Sequence, residues 1–304
     1  MKAMRRTNFI LRRLSASAKA RTAVAAKQTA YDIPISKDVE VFADIPFFSQ
    51  DGTPLAADIY RPSTGDALLP VAVVVHGGGL FSGDHKLDQV FCQILAGKGY
   101  LVYALDYRLI DEVDAFGEIS DVCAGFSFVH KTLMQYGGDP RRVCVVAESA
   151  GAFLSVYAAA MTNSSELASL IGCAPAKLPI QALVCFSGMF YTAKRDLIGA
   201  AYRSALYGLR RRDKEFMKRM NPEHSDVISN LPPVLLTSST RDFLRQYTLR
   251  YAKALCKAGH FCELLYYRGD RSLIHAFPSL EPMLPRSAEV LKEMLIWLDG
   301  LDPT

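Results

Sequence analysis

The 304-residue chain is half hydrophobic and only 22% charged, so it can bury a large core without staples, and its length suits one large α/β domain or two small ones. The net charge of +4 is uneven: residues 1–31 carry eight Lys/Arg and no acid, leaving 27 of the 35 basic groups against all 31 acidic ones in residues 32–304, which excludes a nucleic-acid footprint on the body. The seven cysteines are widely spaced without a CxxC pair, and Cys92, Cys123, Cys144, Cys185 and Cys262 sit among apolar neighbours and read as small core hydrophobes in a reducing, cytoplasmic setting; no stretch approaches the ~20 apolar residues that span a bilayer.

Residues 1–37 form a basic arm. Met4, Leu11, Leu14 and Ala18 keep roughly helical spacing with cations on the other face, so residues 1–30 suit a solvated arm or a helix packed over the body, an anionic membrane surface, or a transit peptide. The apolar triplet at Phe9 is broken by Arg12 and Arg13, which argues against a secretory leader. From Asp38 the pattern becomes strand-like. Val39 to Phe48 and Pro54 to Tyr60 flank the turn signal Gln50-Asp51-Gly52 and read as a hairpin. Val71 to Val75 is a continuous apolar run, typical of a central parallel strand, and leads directly into His76-Gly77-Gly78-Gly79. Glycines there let the backbone pass close to another group and turn its N–H groups outward, where they can serve an oxyanion.

Strands and helices then alternate. Leu87 to Lys98 is helical, Leu101 to Leu105 is a buried strand, and Ile119 to Tyr136 is a helix ended by Gly137-Gly138-Asp139-Pro140. Val143 to Ala147 is a strand, followed at once by Glu148-Ser149-Ala150-Gly151 and the apolar helical pattern of Phe153, Leu154, Val156 and Tyr157. Strand, tight turn with a serine at its apex, helix is the layout of a nucleophile elbow, with Ala147 in the position of the first glycine of G-x-S-x-G. Further strands fall at Ala182 to Phe186, Val234 to Ser239 and Cys262 to Tyr267. Their alternation with helices predicts a mostly parallel, twisted sheet covered on both faces.

A serine hydroxyl needs a base, and the base a carboxylate to orient it. Asp242 falls in the loop after the strand ending at Ser239, and His275 in the loop after the strand ending at Tyr267, both at the sheet edge where ligands bind. Of the six histidines, only His275 sits on a post-strand loop beyond the acid, while His76 belongs to the glycine turn as a structural residue. Asp270, in the His275 loop, and Asp226 are the competing acids. No pair of histidines and no Cys/His cluster has metal-ligand spacing, and no Lys-Ser/Thr follows the glycines to make a phosphate loop, so neither metal nor cofactor is expected.

In His76-Gly77-Gly78-Gly79, Asp106-Tyr107-Arg108, Gly138-Asp139-Pro140 and Glu148-Ser149-Ala150-Gly151, the chain resembles the α/β-hydrolases, and among them the hormone-sensitive-lipase-like and carbohydrate-esterase-like carboxylesterases. Ala147, Ala152 and Ile110-Asp111-Glu112 depart from the usual motifs. The resemblance implies a triad of Ser149, Asp242 and His275, and an oxyanion hole from the N–H groups of Gly78, Gly79 and Ala150. It also implies a catalytic domain over residues 38–304 with a helical cap inserted at about 188–231. In that insertion Ala193 to Met220 is helix-like and basic, with nine Lys/Arg against three Asp/Glu, and Leu197, Tyr202 and Leu206 are candidates to face a substrate. The implied activity is hydrolysis of short- to medium-chain acyl esters of small molecules. Carbohydrate acetyl or feruloyl esters, aryl formamides, and a non-enzymatic ligand receptor are the alternatives. Edge-strand homodimers are common in the resembled families.

Overall fold

The computed structural model describes residues 38–63, 67–194 and 196–303, so the basic arm expected over residues 1–37 lies outside them. Eight strands form one sheet: β1 (Val39–Phe48), β2 (Pro54–Pro62), β3 (Leu69–Val75), β4 (Leu101–Leu105), β5 (Gly138–Glu148), β6 (Ala182–Phe186), β7 (Val234–Ser239) and β8 (Cys262–Tyr267). Their order across the sheet is β1-β2-β4-β3-β5-β6-β7-β8. The pairs β1/β2 and β2/β4 are antiparallel, and every pair from β4/β3 to β7/β8 is parallel. The helices are α1 (Gln89–Ala96), α2 (Ala115–Thr132), α3 (Ser149–Asn163), α4 (Ser165–Ile171), α5 (Leu197–Tyr207), α6 (Lys214–Arg219), α7 (Ser225–Ile228), α8 (Arg245–Lys257), α9 (Phe277–Leu280) and α10 (Pro285–Asp299).

The continuous apolar runs make sense because alternate residues of each strand feed two different cores. Val71, Val73 and Val75 of β3 and Val145 and Ala147 of β5 join Ile119 and Phe126 of α2, Phe153 and Tyr157 of α3 and Tyr251 of α8 on one face. Ala72, Val74, Cys144 and Val146 point to the other, against Phe91 and Leu95 of α1 and Val290 and Met294 of α10. Each fully buried large apolar side chain of this kind contributes roughly 1.5–3 kcal/mol.

Several boundaries differ from the periodicity reading, and two of them have a clear local cause. Helix α2 begins at Ala115 rather than Ile119 because the Asp114 carboxylate accepts from the N–H groups of Phe116 and Gly117, both at 3.1 Å, and caps it there. The helix-like run from Ala193 to Met220 is broken at Gly208, whose φ is 45°. A short 3-10 turn over Gly208–Arg212 follows, and Asp213 then caps α6 through the amides of Glu215 and Phe216.

Parallel strands bring their C-terminal ends to one edge. Val75 pairs with Ala147, Glu148 with Phe186, Phe186 with Thr237, and Ser239 with Tyr267. His76, Ser149, Ser187, Asp242 and His275 therefore all lie just past this edge.

Candidate active site

Ser149 stands between β5 and α3 with φ at 52°, a left-handed conformation that a side-chain-bearing residue adopts only when its surroundings enforce it. The enforcing contact is Gly151. A methyl group there would come within 2.2 Å of the Val75 carbonyl oxygen and 2.4 Å of the His76 carbonyl oxygen, so α3 packs directly against the end of β3. The serine backbone is pinned further by the Met189 N–H, which donates to its carbonyl at 2.8 Å. Ala147 is accommodated within the core on β5.

The side chain of Ser149 is 7% exposed, and its Oγ lies 2.8 Å from Nε2 of His275. Nδ1 of His275 lies 2.7 Å from Oδ1 of Asp242. Asp242 is fully buried and held at both oxygens. Its Oδ1 also accepts from the Leu244 N–H at 2.9 Å, and its Oδ2 from the Ser238 hydroxyl at 2.6 Å. Burial alone would raise this carboxyl, but the hydrogen bond and charge of His275, then Ser238 and Leu244, outweigh it and hold it below the usual carboxylate range. The loop carrying His275 is anchored at Ala276, whose left-handed backbone donates its N–H to the Ser187 hydroxyl at 3.0 Å. The Phe243 ring packs over the imidazole at 4.2 Å between centroids.

The glycine turn lies beside this line. Gly78 and Gly79 have φ of 96° and 67°, and a methyl on Gly78 would collide with the Ser82 carbonyl oxygen at 1.7 Å, so only glycine serves there. His76 is buried and stacks on Tyr107 at 4.2 Å, and the Tyr107 hydroxyl donates to the carbonyl oxygens of His76 and Gly77 at 2.9 and 3.0 Å. The N–H of Gly77 donates to Oε1 of Glu148 at 2.6 Å. Ser149, His275 and Asp242 form a chain that can relay a proton from a serine hydroxyl to an imidazole.

Ser149, His275 and Asp242, read from three separate loops, are thus brought together. The rival acids are elsewhere: Asp270 is tied to Ser272 in an exposed turn, and Asp226 pairs with Arg219 at 3.1 Å. Of the insertion residues, Tyr202 donates its hydroxyl to the Gly79 carbonyl at 2.9 Å and packs on Phe81, so it touches the glycine turn itself. Leu206 is fully buried in the hydrophobic core, and Leu197 opens α5 with its side chain outside those described. The roles of Ser238, Ser187, Tyr107 and Glu148 escaped the sequence reading. Tyr107 and Glu148 sit inside its motifs, but nothing in one dimension says which backbone groups they reach.

One group of potential ligand atoms was also invisible in the spacing: Asp44, Asp58 and His85 lie within 4.8 Å of one another. Burial opposes a charge on His85, but the carboxylates of Asp106 and Asp58, at 3.8 and 3.4 Å, outweigh this and push the imidazole up to about 10. Lys86 adds a cation on Asp44 at 2.7 Å. A metal ion bound here would have to displace the proton of His85.

An eight-stranded, mostly parallel sheet of this order, with a serine on the turn after its fifth strand, defines an α/β-hydrolase. Esterase B from Lactobacillus rhamnosis superimposes with a TM-score of 0.85 at 25% identity, covering 96% of this chain and 95% of that one. Carboxylic ester hydrolase LipN of Mycobacterium tuberculosis is 29% identical over 252 residues, 78% of this chain and 64% of that protein. Isoprenylcysteine alpha-carbonyl methylesterase ICME of Arabidopsis thaliana is 28% identical over 229 residues, 70% of this chain and 52% of that protein. The chain therefore spans only about half to two thirds of the length of these two curated relatives. The family model described as BD-FAE matches residues 57–249, and the chain belongs to that family, with an α/β-hydrolase fold. Among the described residues no helix is long and apolar enough to cross a membrane.

Proposed function

We propose that the protein is a serine carboxylesterase acting on short- to medium-chain acyl esters of small molecules. The observation that carries this reading is the continuous hydrogen-bonded line from Ser149 through His275 to the buried Asp242, at 2.8 and 2.7 Å. In the proposed cycle His275 Nε2 takes the Ser149 proton as Oγ attacks the ester carbonyl, and Asp242 holds the Nδ1–H tautomer and balances the imidazolium. The N–H groups of Gly78, Gly79 and Ala150 receive the oxyanion, each such donor being worth ~3–4 kcal/mol. Collapse of the tetrahedral intermediate releases the alcohol with the proton from His275. A water molecule, deprotonated by His275, then hydrolyses the acyl-enzyme.

Helices α5 to α7 act in this reading as the cap, since Tyr202 of α5 meets the glycine turn. The acyl range is supported by the likeness to esterase B, one of whose crystal structures concerns a C4-C4 tributyrin phosphonate. A cytoplasmic location is supported by the seven cysteines, all free and five of them buried. Hydrolysis of p-nitrophenyl acetate, butyrate, octanoate and palmitate by wild type and Ser149→Ala tests the whole. The expected result is turnover that falls beyond medium chains and drops by ~10⁴-fold or more in the variant. A folded Ser149→Ala enzyme that keeps most of its activity refutes the reading, and a wild type inert on every ester points to an unusual acyl group such as a formamide or to the receptor alternative.

A further inference from the structure

From the arrangement of the buried carboxyl beside the nucleophile, we infer that Glu148 is a positioning residue for the oxyanion hole: it fixes the Gly77 amide and thereby aims the next two amides over Ser149. This rests on the hydrolase reading above. Glu148 immediately precedes Ser149 at the N-terminal boundary of α3, a position where Ser, Thr, Asp or Asn ordinarily caps the helix. Here it makes no capping bond. Its side chain crosses instead to the other loop of the site and accepts the Gly77 N–H at 2.6 Å, 71 residues away in sequence.

The fit is specific to this pair of residues. A methyl on Gly77 would meet Oε1, the carboxyl carbon and Oε2 of Glu148 at 2.3, 2.5 and 2.6 Å, so the space a side chain would fill at Gly77 is taken by this carboxyl. Tyr107 holds the carbonyls of the same turn, donating to His76 and Gly77. With Gly151 packed on the His76 carbonyl, the turn is gripped on its N–H and C=O sides and from below by the helix that carries the nucleophile. Among the described residues, Glu148 links the nucleophile's own backbone segment to the Gly77 N–H.

The carboxyl is 2% exposed, and Oε2 has no hydrogen-bond partner among the described residues. Burial, reinforced by the negative charge of the nearby Asp88 and only partly offset by the Gly77 N–H, pushes it well above the usual carboxyl range. The carboxyl presents an oxygen acceptor to the amide, which a glutamine reproduces and an alanine or leucine does not.

The test compares Glu148→Gln, Glu148→Ala and Glu148→Leu with Ser149→Ala, reading kcat and KM on p-nitrophenyl butyrate and amide hydrogen exchange across residues 76–83. Glu148→Ala should lose about 10²-fold in kcat with KM unchanged, since misaimed donors forfeit stabilisation made only in the transition state. Its glycine turn should exchange faster, and Glu148→Gln should recover both. Should the alanine variant not fold, Glu148→Leu, close in volume but without an acceptor, carries the same expectation. Gly77→Ala should be damaging in the wild type yet add no further loss in Glu148→Ala, because the atoms nearest that methyl are gone. If Ser149→Ala is dead while Glu148→Ala keeps kcat within about threefold, the positioning role is overturned and the hydrolase reading stands. If Ser149→Ala still turns over, the hydrolase reading fails, and unchanged exchange in Glu148→Ala then overturns the positioning role as well.

Discussion

Replacing Asp242 by asparagine separates the two things a triad carboxylate can do. Its Oδ1 receives both the His275 Nδ1–H at 2.7 Å and the Leu244 N–H at 2.9 Å, whereas Oδ2 meets only the Ser238 hydroxyl at 2.6 Å. An asparagine would therefore place its carbonyl oxygen toward Leu244 and His275, and its NH₂ toward Ser238, which can rotate to accept. The useful imidazole tautomer survives, and what is lost is the negative charge that stabilises the imidazolium. For charge centres about 4 Å apart at an effective dielectric of 20, that interaction is about 4 kcal/mol. Through the transition-state relation this becomes about 10³-fold in kcat. Where an asparagine amide instead flips the histidine to the wrong tautomer, the loss is nearer ~10⁴-fold. The assay is kcat on p-nitrophenyl butyrate, beside Asp242→Ala, which should lose more because it also leaves the Leu244 N–H and Ser238 hydroxyl unpaired. An Asp242→Asn enzyme within tenfold of wild type would refute the claim that this charge serves the reaction.

Two further outcomes follow from the same packing. Gly151→Ala places a methyl 2.2 Å from the Val75 carbonyl oxygen, a backbone atom that cannot swing away, so the variant should lose several degrees in Tm or fail to accumulate as soluble protein; a Tm unchanged from wild type would show that the elbow has room to spare. His85 binds its proton more tightly folded, at about 10, than at its ordinary 6.5, so the stability it contributes is complete below about 6.5 and is lost as pH rises toward 10. The Tm difference between wild type and His85→Gln should therefore be widest near pH 6 and narrow by pH 10, and a difference that grows with pH would contradict the charge assigned to this imidazole.

Much of the catalytic arrangement was readable because the chemistry constrains residue types at strand ends. Val71 to Val75 and Val143 to Ala147 read as buried strands, and a parallel sheet delivers its strand ends to a common edge, so a meeting of Ser149, Asp242 and His275 at that edge could be expected without a distance. Their order along the chain carried the rest. Helix boundaries were less legible, because α2 starts where Asp114 caps it and the Ala193 to Met220 run is divided by the backbone of Gly208 and the cap of Asp213.

By itself, the sequence determined the strand and helix alternation, the elbow and its glycine turn, since these depend on local periodicity and on backbone conformations that few residues tolerate. Tertiary structure alone decided where the side chains between those landmarks go. Glu148 turns from its own helix to Gly77, Tyr202 reaches the Gly79 carbonyl across 123 residues, and His85 gathers Asp44, Asp58 and Asp106 around one imidazole. Such contacts arise from the register of distant strands and the packing of loops onto them. A hydrogen bond between residues far apart in the chain leaves no period in the sequence, because its partners are chosen by geometry that exists only once the sheet has formed.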